Sequence, residues 1–206
     1  MVKVFNHPLI KDKLTRMRKI ETQSTKFRDN LNEISQLMAY EVTKNFEMID
    51  IEIETPVAKT VGQKLKDKVV LIPILRAGLG MVDGLKQLIP TASIGHIGLY
   101  RDESTALPKQ YYCKMPDCLK DSNAIILDPM LATGGSASEA IKIVKSFNPK
   151  SISFMCLVAA PEGLNKILKD HKDINIYIAS LDEKLNDKCY IVPGLGDAGD
   201  RLFGTK

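Results

Sequence analysis

Ala124-Ile125-Ile126-Leu127-Asp128-Pro129-Met130-Leu131-Ala132-Thr133-Gly134-Gly135-Ser136 is the stretch on which the fold turns. Four consecutive apolar residues before Asp128 suit a strand covered on both faces, as in a parallel sheet. Pro129 has no N–H to give to a ladder, so the strand is expected to end there and the chain to turn. Thr133 to Ser136 then supply hydroxyls and backbone N–H groups free of large side chains, at the start of a helix expected from Ala137 to Phe147. A helix N-terminus offers unpaired N–H donors and the positive end of the helix dipole, so this turn can seat a phosphate. It can also be an ordinary strand-to-helix turn capped by Ser136. Spacing alone leaves both readings open.

The same strand, turn and helix recur on either side. Upstream, Val69-Val70-Leu71-Ile72-Pro73-Ile74-Leu75 is a nearly continuous apolar strand, followed by Arg76-Ala77-Gly78-Leu79-Gly80 and a helix to about Ile89; Ser93 to Tyr100 reads as the next strand. Downstream, Ser151 to Val158 is a strand, Pro161 opens a helix at a position where its missing donor costs nothing, and Ile174 to Ala179 is a further strand. This alternation predicts an α/β fold with a mostly parallel central sheet and helices on both faces. Ligands on such sheets bind beyond the carboxyl ends of the strands. Arg76, Arg101 and the run from Asp128 to Ser136 are thereby expected at one end of the molecule.

Towards the N-terminus, Phe27, Leu31, Ile34, Met38 and Val42 recur at helical steps, giving an amphipathic helix with Ser24 or Thr25 as its cap. Residues 12–22 are polar and basic. Ile49, Ile51 and Ile53 alternate with acids until Pro56, the pattern of a half-exposed edge strand. Two segments depart from the alternation. Arg101 to Met115 begins polar and ends in a strand-like Tyr-Tyr-Cys; it can be a lid, a surface hairpin or a dimer arm. Tyr190 to Lys206 holds Gly194, Gly196, Gly199 and Gly204, which lets backbone approach a ligand closely, although an irregular C-terminus explains the composition as well.

A chain of 206 residues is long enough for one large α/β domain, and 44% hydrophobic with 26% charged residues excludes a disordered or fibrous class. The net charge of +4 suits an anionic small molecule as well as nucleic acid, but no dense Lys/Arg stripe with interleaved aromatics is present, which argues against nucleic-acid binding. No run reaches membrane-spanning length and the first ten residues lack a signal-type apolar core, so the expectation is a cytoplasmic protein. Cys113, Cys118, Cys156 and Cys189 lack CxxC spacing and read as free thiols. His7, His96 and His171 are isolated, and each reads as structural or solvent-facing.

Several stretches together resemble one family. Ile125 to Ser136 resembles the phosphoribosyl-pyrophosphate (PRPP) signature of the type I phosphoribosyltransferases, in the form of the uracil-specific branch. Most type I relatives have two adjacent acids where this chain has Asp128-Pro129, and the proline matches that branch. The resemblance continues in Pro73-Ile74-Leu75-Arg76-Ala77-Gly78-Leu79-Gly80, in Gly98-Leu99-Tyr100-Arg101-Asp102-Glu103, in Tyr190 to Arg201 and in Asn6-His7-Pro8-Leu9. It spans nearly the whole chain and implies one phosphoribosyltransferase domain over residues 1–206, with a small hood from the N- and C-terminal segments.

The activity implied is uracil + PRPP → UMP + pyrophosphate, a step of pyrimidine salvage. PRPP is expected on Arg76, Arg101, Asp128, Pro129, Met130, Leu131, Ala132, Thr133, Gly134, Gly135, Ser136 and Asp197, with Arg101, Asp128 and Asp197 in the catalytic role. In that resemblance the turn from Thr133 to Ser136 grips the 5-phosphate, Asp128 sits near the ribose hydroxyls, and the two arginines offer planar forks to pyrophosphate oxygens. The turn Leu75-Arg76-Ala77-Gly78 resembles a loop where a cis non-proline peptide is known in the family. Uracil is expected against the backbone of Ile191 and of Gly196 to Ala198, with Asp197 adjacent. Backbone amides can match the acceptor, donor and acceptor of its edge, whereas cytosine would set an amino donor against an N–H. Magnesium is expected on the pyrophosphate oxygens and water, with no metal site built of protein residues. The resemblance further implies a homodimer or higher homo-oligomer and, in some members, GTP activation. Two other readings are a type I transferase for another base and a regulator of the same fold that binds RNA.

Overall fold

The structure is a computed structural model that describes residues 1–101 and 108–205, without the side chain of Arg101. Its elements in chain order are β1 (Val2–Val4), α1 (Pro8–Arg18), α2 (Ser24–Val42), β2 (Met48–Glu54), β3 (Lys59–Leu65), β4 (Val69–Leu75), α3 (Leu79–Leu88), β5 (Ser93–Ile94), β6 (His96–Arg101) and β7 (Pro108–Lys114). There follow β8 (Asn123–Leu127), β9 (Met130–Leu131), α4 (Gly135–Lys145), β10 (Ser151–Ala159), α5 (Pro161–Asp170), β11 (Asn175–Leu181), β12 (Lys184–Leu185), β13 (Ile191–Val192) and α6 (Ala198–Phe203).

The continuous apolar runs form the middle of the sheet. β4 and β8 pair in parallel from Val69↔Asn123 to Pro73↔Leu127, and β10 lies on the other side of β8. The strand order is β1-β11-β10-β8-β4-β6-β7, parallel except for β7, with β5 beside β4 and β9 beside β10. From β4 the chain crosses through α3 to β6 on one side; from β8 it proceeds through α4 and α5 to β10 and β11 on the other. The order therefore reverses between β4 and β8, the point at which an open α/β sheet leaves a crevice. Residues of α1, α2 and α3 build one core layer with Leu71, Ile125 and Met155. Residues of α4 and α5 build the other with Ile72, Ile126 and Phe154. Phe27, Leu31, Ile34 and Met38 of α2 are wholly buried, each worth about 1.5–3 kcal/mol of transfer free energy.

Several local expectations are corrected. Pro129 lies just past the end of β8 at Leu127, as expected, but pairing with β10 resumes beyond it: Met130 and Leu131 pair with Val158 and Ala159 in the register that Leu127 holds with Met155. Its missing N–H is not needed there, because only its carbonyl is used, accepting from Leu157 and Val158 at 3.1 and 3.0 Å. The polar run of residues 12–22 is largely helix α1, which buries only Ile10, Leu14 and Met17; that stripe is too narrow to stand out from its charges. His7 caps it, its Nδ1 accepting from Leu9 N at 3.2 Å. The cap of α2 is Gln23, not Ser24 or Thr25, and it makes no side-chain cap bond. The alternating isoleucines of β2 do not edge the main sheet; they pair over seven rungs with β3 in a separate two-stranded ribbon. The strand read over Ser93 to Tyr100 breaks at Gly95 into β5 and β6. The C-terminal tail contains the helical turn α6.

Within Arg101 to Met115, β6 and β7 form an antiparallel hairpin in which Arg101 pairs with Pro108. The lid reading of Arg101 to Met115 takes in residues 102–107, which lie outside the described residues. No helix among the described residues is long and apolar enough to cross a membrane, and all four cysteines are free thiols as expected, with Cys156 buried.

Candidate active site

At the reversal point a cavity of about 330 Å³ is lined from the sheet side by Arg76, Ala77, Asp128, Met130 and Ala132. Cys189, Tyr190, Ile191 and Gly196 to Gly199 line it from the C-terminal side. The cavity thus gathers eight sequence-predicted residues, Arg76, Asp128, Met130, Ala132, Ile191, Gly196, Asp197 and Ala198.

Arg76 follows directly on β4, joined by a cis Leu75–Arg76 peptide, so the conformation expected for this turn is present. Its Nη2 lies 3.3 Å from Asp200 Oδ1 and its guanidinium 5.9 Å from the Phe203 ring. The side chain is 57% exposed, so this ion pair holds it weakly and an incoming anion can displace the carboxylate.

Asp128 closes the floor at the end of β8. Its Oδ1 accepts from Met130 N at 3.1 Å, bridging over Pro129. Burial pushes its carboxyl up to about 7, against the opposing effect of the Met130 N–H. A carboxyl poised there switches charge near neutrality and responds to whatever cation or developing positive charge enters.

The turn after β9 sits farther along the same crevice. Thr133 and Ser136 are exposed. The helix cap is Gly134, with no side-chain cap bond, so the reading of Ser136 as cap is corrected: Ser136 lies inside the first turn of α4. The first intrahelical bond runs from Ser138 N to Gly134 O at 2.9 Å. The N–H groups of Gly135, Ser136 and Ala137 accordingly lack partners within the helix, the arrangement a phosphate uses. Gly134 has φ +79°, and a Cβ there would lie 2.8 Å from the Gly163 carbonyl, so both conformation and space require glycine. Pro129, in the bend between β8 and β9, and Leu131, in β9, are buried and shape this turn through backbone. The hairpin end comes alongside, with Pro108 Cδ 3.9 Å from where a Gly135 Cβ would be, which places the backbone of Arg101 near the turn.

On the C-terminal side Ile191 lies in β13 and is buried. A cis Val192–Pro193 peptide follows, and Gly194 and Gly196 both have positive φ. Asp197 caps α6, its Oδ1 accepting from Asp200 N at 2.8 Å. Residue reasoning had not singled out Ala77, Cys189, Tyr190 or Gly199 for the cavity; all but Cys189 lie inside the quoted motifs, where a wider reading of each motif would have found them.

Among the described residues no three His, Cys, Asp or Glu side chains are grouped to hold a metal ion. Asp128 and Asp197 present hard oxygen donors to the cavity, which suits an ion carried in by a polyphosphate rather than one caged by protein.

The family model for uracil phosphoribosyltransferase matches residues 4–205. A uracil phosphoribosyltransferase of Malacoplasma penetrans is 77% identical over 206 residues, covering 100% of both chains, and one of Ureaplasma urealyticum is 65% identical, again over 100% of both. A solved protein from Aquifex aeolicus superposes with a TM-score of 0.95 at 38% identity, covering 100% of this chain and 99% of that one. A hypoxanthine-guanine phosphoribosyltransferase of Bacillus anthracis shares the fold at a TM-score of 0.54 and 17% identity, over 78% of this chain and 79% of that one. The glycine-rich turn after β9, the strand-end arginine and the glycine-rich tail are thus parts of one architecture, and the chain belongs to the uracil phosphoribosyltransferase family.

Proposed function

We propose that the protein transfers the phosphoribosyl group of PRPP to uracil, giving UMP and pyrophosphate. The observation that carries this reading is the single cavity in which Arg76 and Asp128, from adjacent strand ends, face the backbone of Ile191 and of Gly196 to Ala198. The polyanion and the base would meet across it.

In this reading the N–H groups and hydroxyls from Thr133 to Ser136 hold the 5-phosphate. Arg76 leaves Asp200 to grip the pyrophosphate, with Arg101 as a second fork. Asp128 holds the ribose hydroxyls, and its carboxylate stabilises positive charge that develops on the sugar as the anomeric bond breaks. Asp197 keeps the oxygen not used in capping for PRPP. Uracil is read by backbone groups, whose fixed donor and acceptor order favours it over cytosine. Magnesium, when bound, neutralises the departing pyrophosphate; the oxygens of Asp128 and Asp197 could contribute to its shell.

The reading extends to one catalytic unit over residues 1–206 with the N- and C-terminal segments as a hood, to a cytoplasmic location and to a homo-oligomer. Val57 and Val61, 94% and 63% exposed on the separate β2–β3 ribbon, support self-association. Activation by GTP, as in some members, is a further part of it. The test is incubation with PRPP, magnesium and each labelled base in turn. UMP from uracil is the expected product; no UMP, or turnover of another base instead, refutes the reading, and tight RNA binding without turnover replaces it with a regulator. Sedimentation velocity, and initial rates with and without GTP, read the last two expectations.

A further inference from the structure

Gly194 lies between Ile191 and Gly196, in the middle of the segment that carries the proposed base-reading groups, and both of its peptide groups are engaged by charged side chains. Its N–H donates to Asp182 Oδ2 at 2.9 Å, and its carbonyl accepts from Arg18 Nη1 at 2.6 Å. Arg18 and Asp182 in turn form a two-pronged pair, Nη1 to Oδ2 at 2.7 Å and Nη2 to Oδ1 at 2.6 Å, with Ser180 Oγ donating to Asp182 Oδ1 at 2.8 Å. The Asp182 side chain is only 2% exposed. Burial pulls its carboxyl upward, but the hydrogen bonds from Arg18, Ser180 and Gly194 outweigh that and hold it below the usual carboxylate value. The next carbonyl, of Leu195, accepts from Arg201 Nη1 at 2.8 Å. Arg201 also donates to the carbonyls of Met17 and Lys19 at the end of α1, at 2.6 and 2.7 Å. Helix α1 thus reaches into the loop through Arg18, and α6 reaches back to α1 through Arg201.

A site that reads its ligand with backbone groups has no side chain to adjust; its selectivity is the shape of the loop. Gly194 cannot be held from within, since a Cβ there would lie 2.1 Å from the Ile191 carbonyl and its φ is +60°. We propose that Arg18 and Asp182 are positioning residues for base recognition, clamping both peptide groups of Gly194 so that Ile191 and Gly196 to Ala198 present their donors and acceptors in a fixed register. Neither residue is among those that line the cavity. The inference rests on the proposed function for the identity of the base, and not for the clamp itself.

Arg18→Lys keeps the charge but loses the fork. Asp182→Asn sets one oxygen and an amide against the donors of Arg18, Ser180 and Gly194. Arg18→Gln/Asp182→Asn removes both charges together and leaves neither buried alone, so it keeps a folded variant in hand. Steady-state kinetics on each should show KM for uracil raised tenfold or more with KM for PRPP within twofold, and a narrowed preference for uracil over cytosine. Hydrogen exchange should show the Gly194 amide slow in the wild type and at least tenfold faster in the variants, with the β4 and β10 amides unchanged. A merely structural role would lower the melting temperature and leave the ratio of the two KM values and the base preference where they were; that result overturns the proposal. A fast-exchanging Gly194 amide in the wild type overturns it too, whatever the activity. If the wild type uses another base, the functional reading fails while the same ratio for that base still decides the clamp; if it uses none, the exchange at Gly194 decides it.

Discussion

Replacing Asp128 by asparagine should make the protein more stable at neutral and alkaline pH while removing most of its activity. The carboxyl is half-buried in the cavity floor with one hydrogen bond, from Met130 N, and desolvation raises it from 3.8 to about 7. A raised folded-state value means that between about pH 4 and pH 7 the folded chain holds a proton that the unfolded chain has released. Stability then falls as pH rises through that window, and at pH 8 the folded state carries the full cost of a buried charge. At about 1.4 kcal/mol for each pH unit, that cost is on the order of 4 kcal/mol. Asparagine has the same shape, its Oδ1 can still accept from Met130 N, and it has no charge to bury. The variant should match the wild type near pH 4 and exceed it by on the order of 4 kcal/mol at pH 8. At roughly 2–4 °C per kcal/mol for a chain of this size, the melting temperature should rise by about 10 °C.

The assay is urea or thermal unfolding of both proteins from pH 4 to pH 8.5 without substrate, read as the difference between them so that the other titrating groups cancel. A difference that does not change with pH refutes the buried-charge argument, and one that shrinks as pH rises refutes its sign. At pH 8, where the wild-type carboxyl is ionised, UMP formation should fall at least tenfold, because the neutral amide cannot answer positive charge on the sugar. A variant both more stable and fully active would mean that the charge of Asp128 plays no part in the chemistry.

Other perturbations follow from the same geometry. Gly134→Ala sets a Cβ against the Gly163 carbonyl in a left-handed conformation, so it should cost about 1–3 kcal/mol by urea unfolding and raise KM for PRPP; unchanged values in both would place the turn outside the phosphate site. Arg76→Lys should raise KM for PRPP about tenfold while leaving KM for uracil alone, since the charge stays and the fork is lost; an equal rise in both would point to a distorted loop instead. His171→Phe should cost about 1–3 kcal/mol with activity per folded molecule unchanged, because His171 Nε2 is buried against Ser138 Oγ at 2.9 Å and Ser138 O at 3.1 Å. Burial first, and then Lys145, hold His171 below its ordinary 6.5, so the wild type should lose stability as pH falls through 6.5 and the variant should lack that slope in the same unfolding series.

The sheet was legible where burial on both faces leaves an unbroken apolar run, as in β4, β8 and β10. It was illegible where the element buries little. α1 hides three residues among its charges, and β3, Lys-Thr-Val-Gly-Gln-Lys-Leu, buries neither face, so no periodicity marks it. Pro129 does mark the end of β8, but the proline argument does not foretell that pairing resumes in β9: it counts a lost donor, and a strand neighbour that needs only the carbonyl loses nothing.

The candidate site divides along the same line. Arg76, Asp128 and the turn from Thr133 to Ser136 were legible because each sits at the end of an element whose pattern is local. Ile191 and Gly196 to Ala198 were named only through family resemblance, since backbone groups that read a base leave no side-chain signature. Arg18 and Asp182 carry no local signal at all: 164 positions separate them, and what joins them is the meeting of α1 with the end of β11 across the loop. If those two residues hold the register of Gly194, selection for the base acts on residues that never touch it. A sequence can then keep every residue of the phosphate turn and still change which base it accepts, through a single substitution at the clamp. Phosphate binding and base choice would be separable properties of one cavity, the first written in a contiguous turn and the second in contacts that form only when the chain has folded.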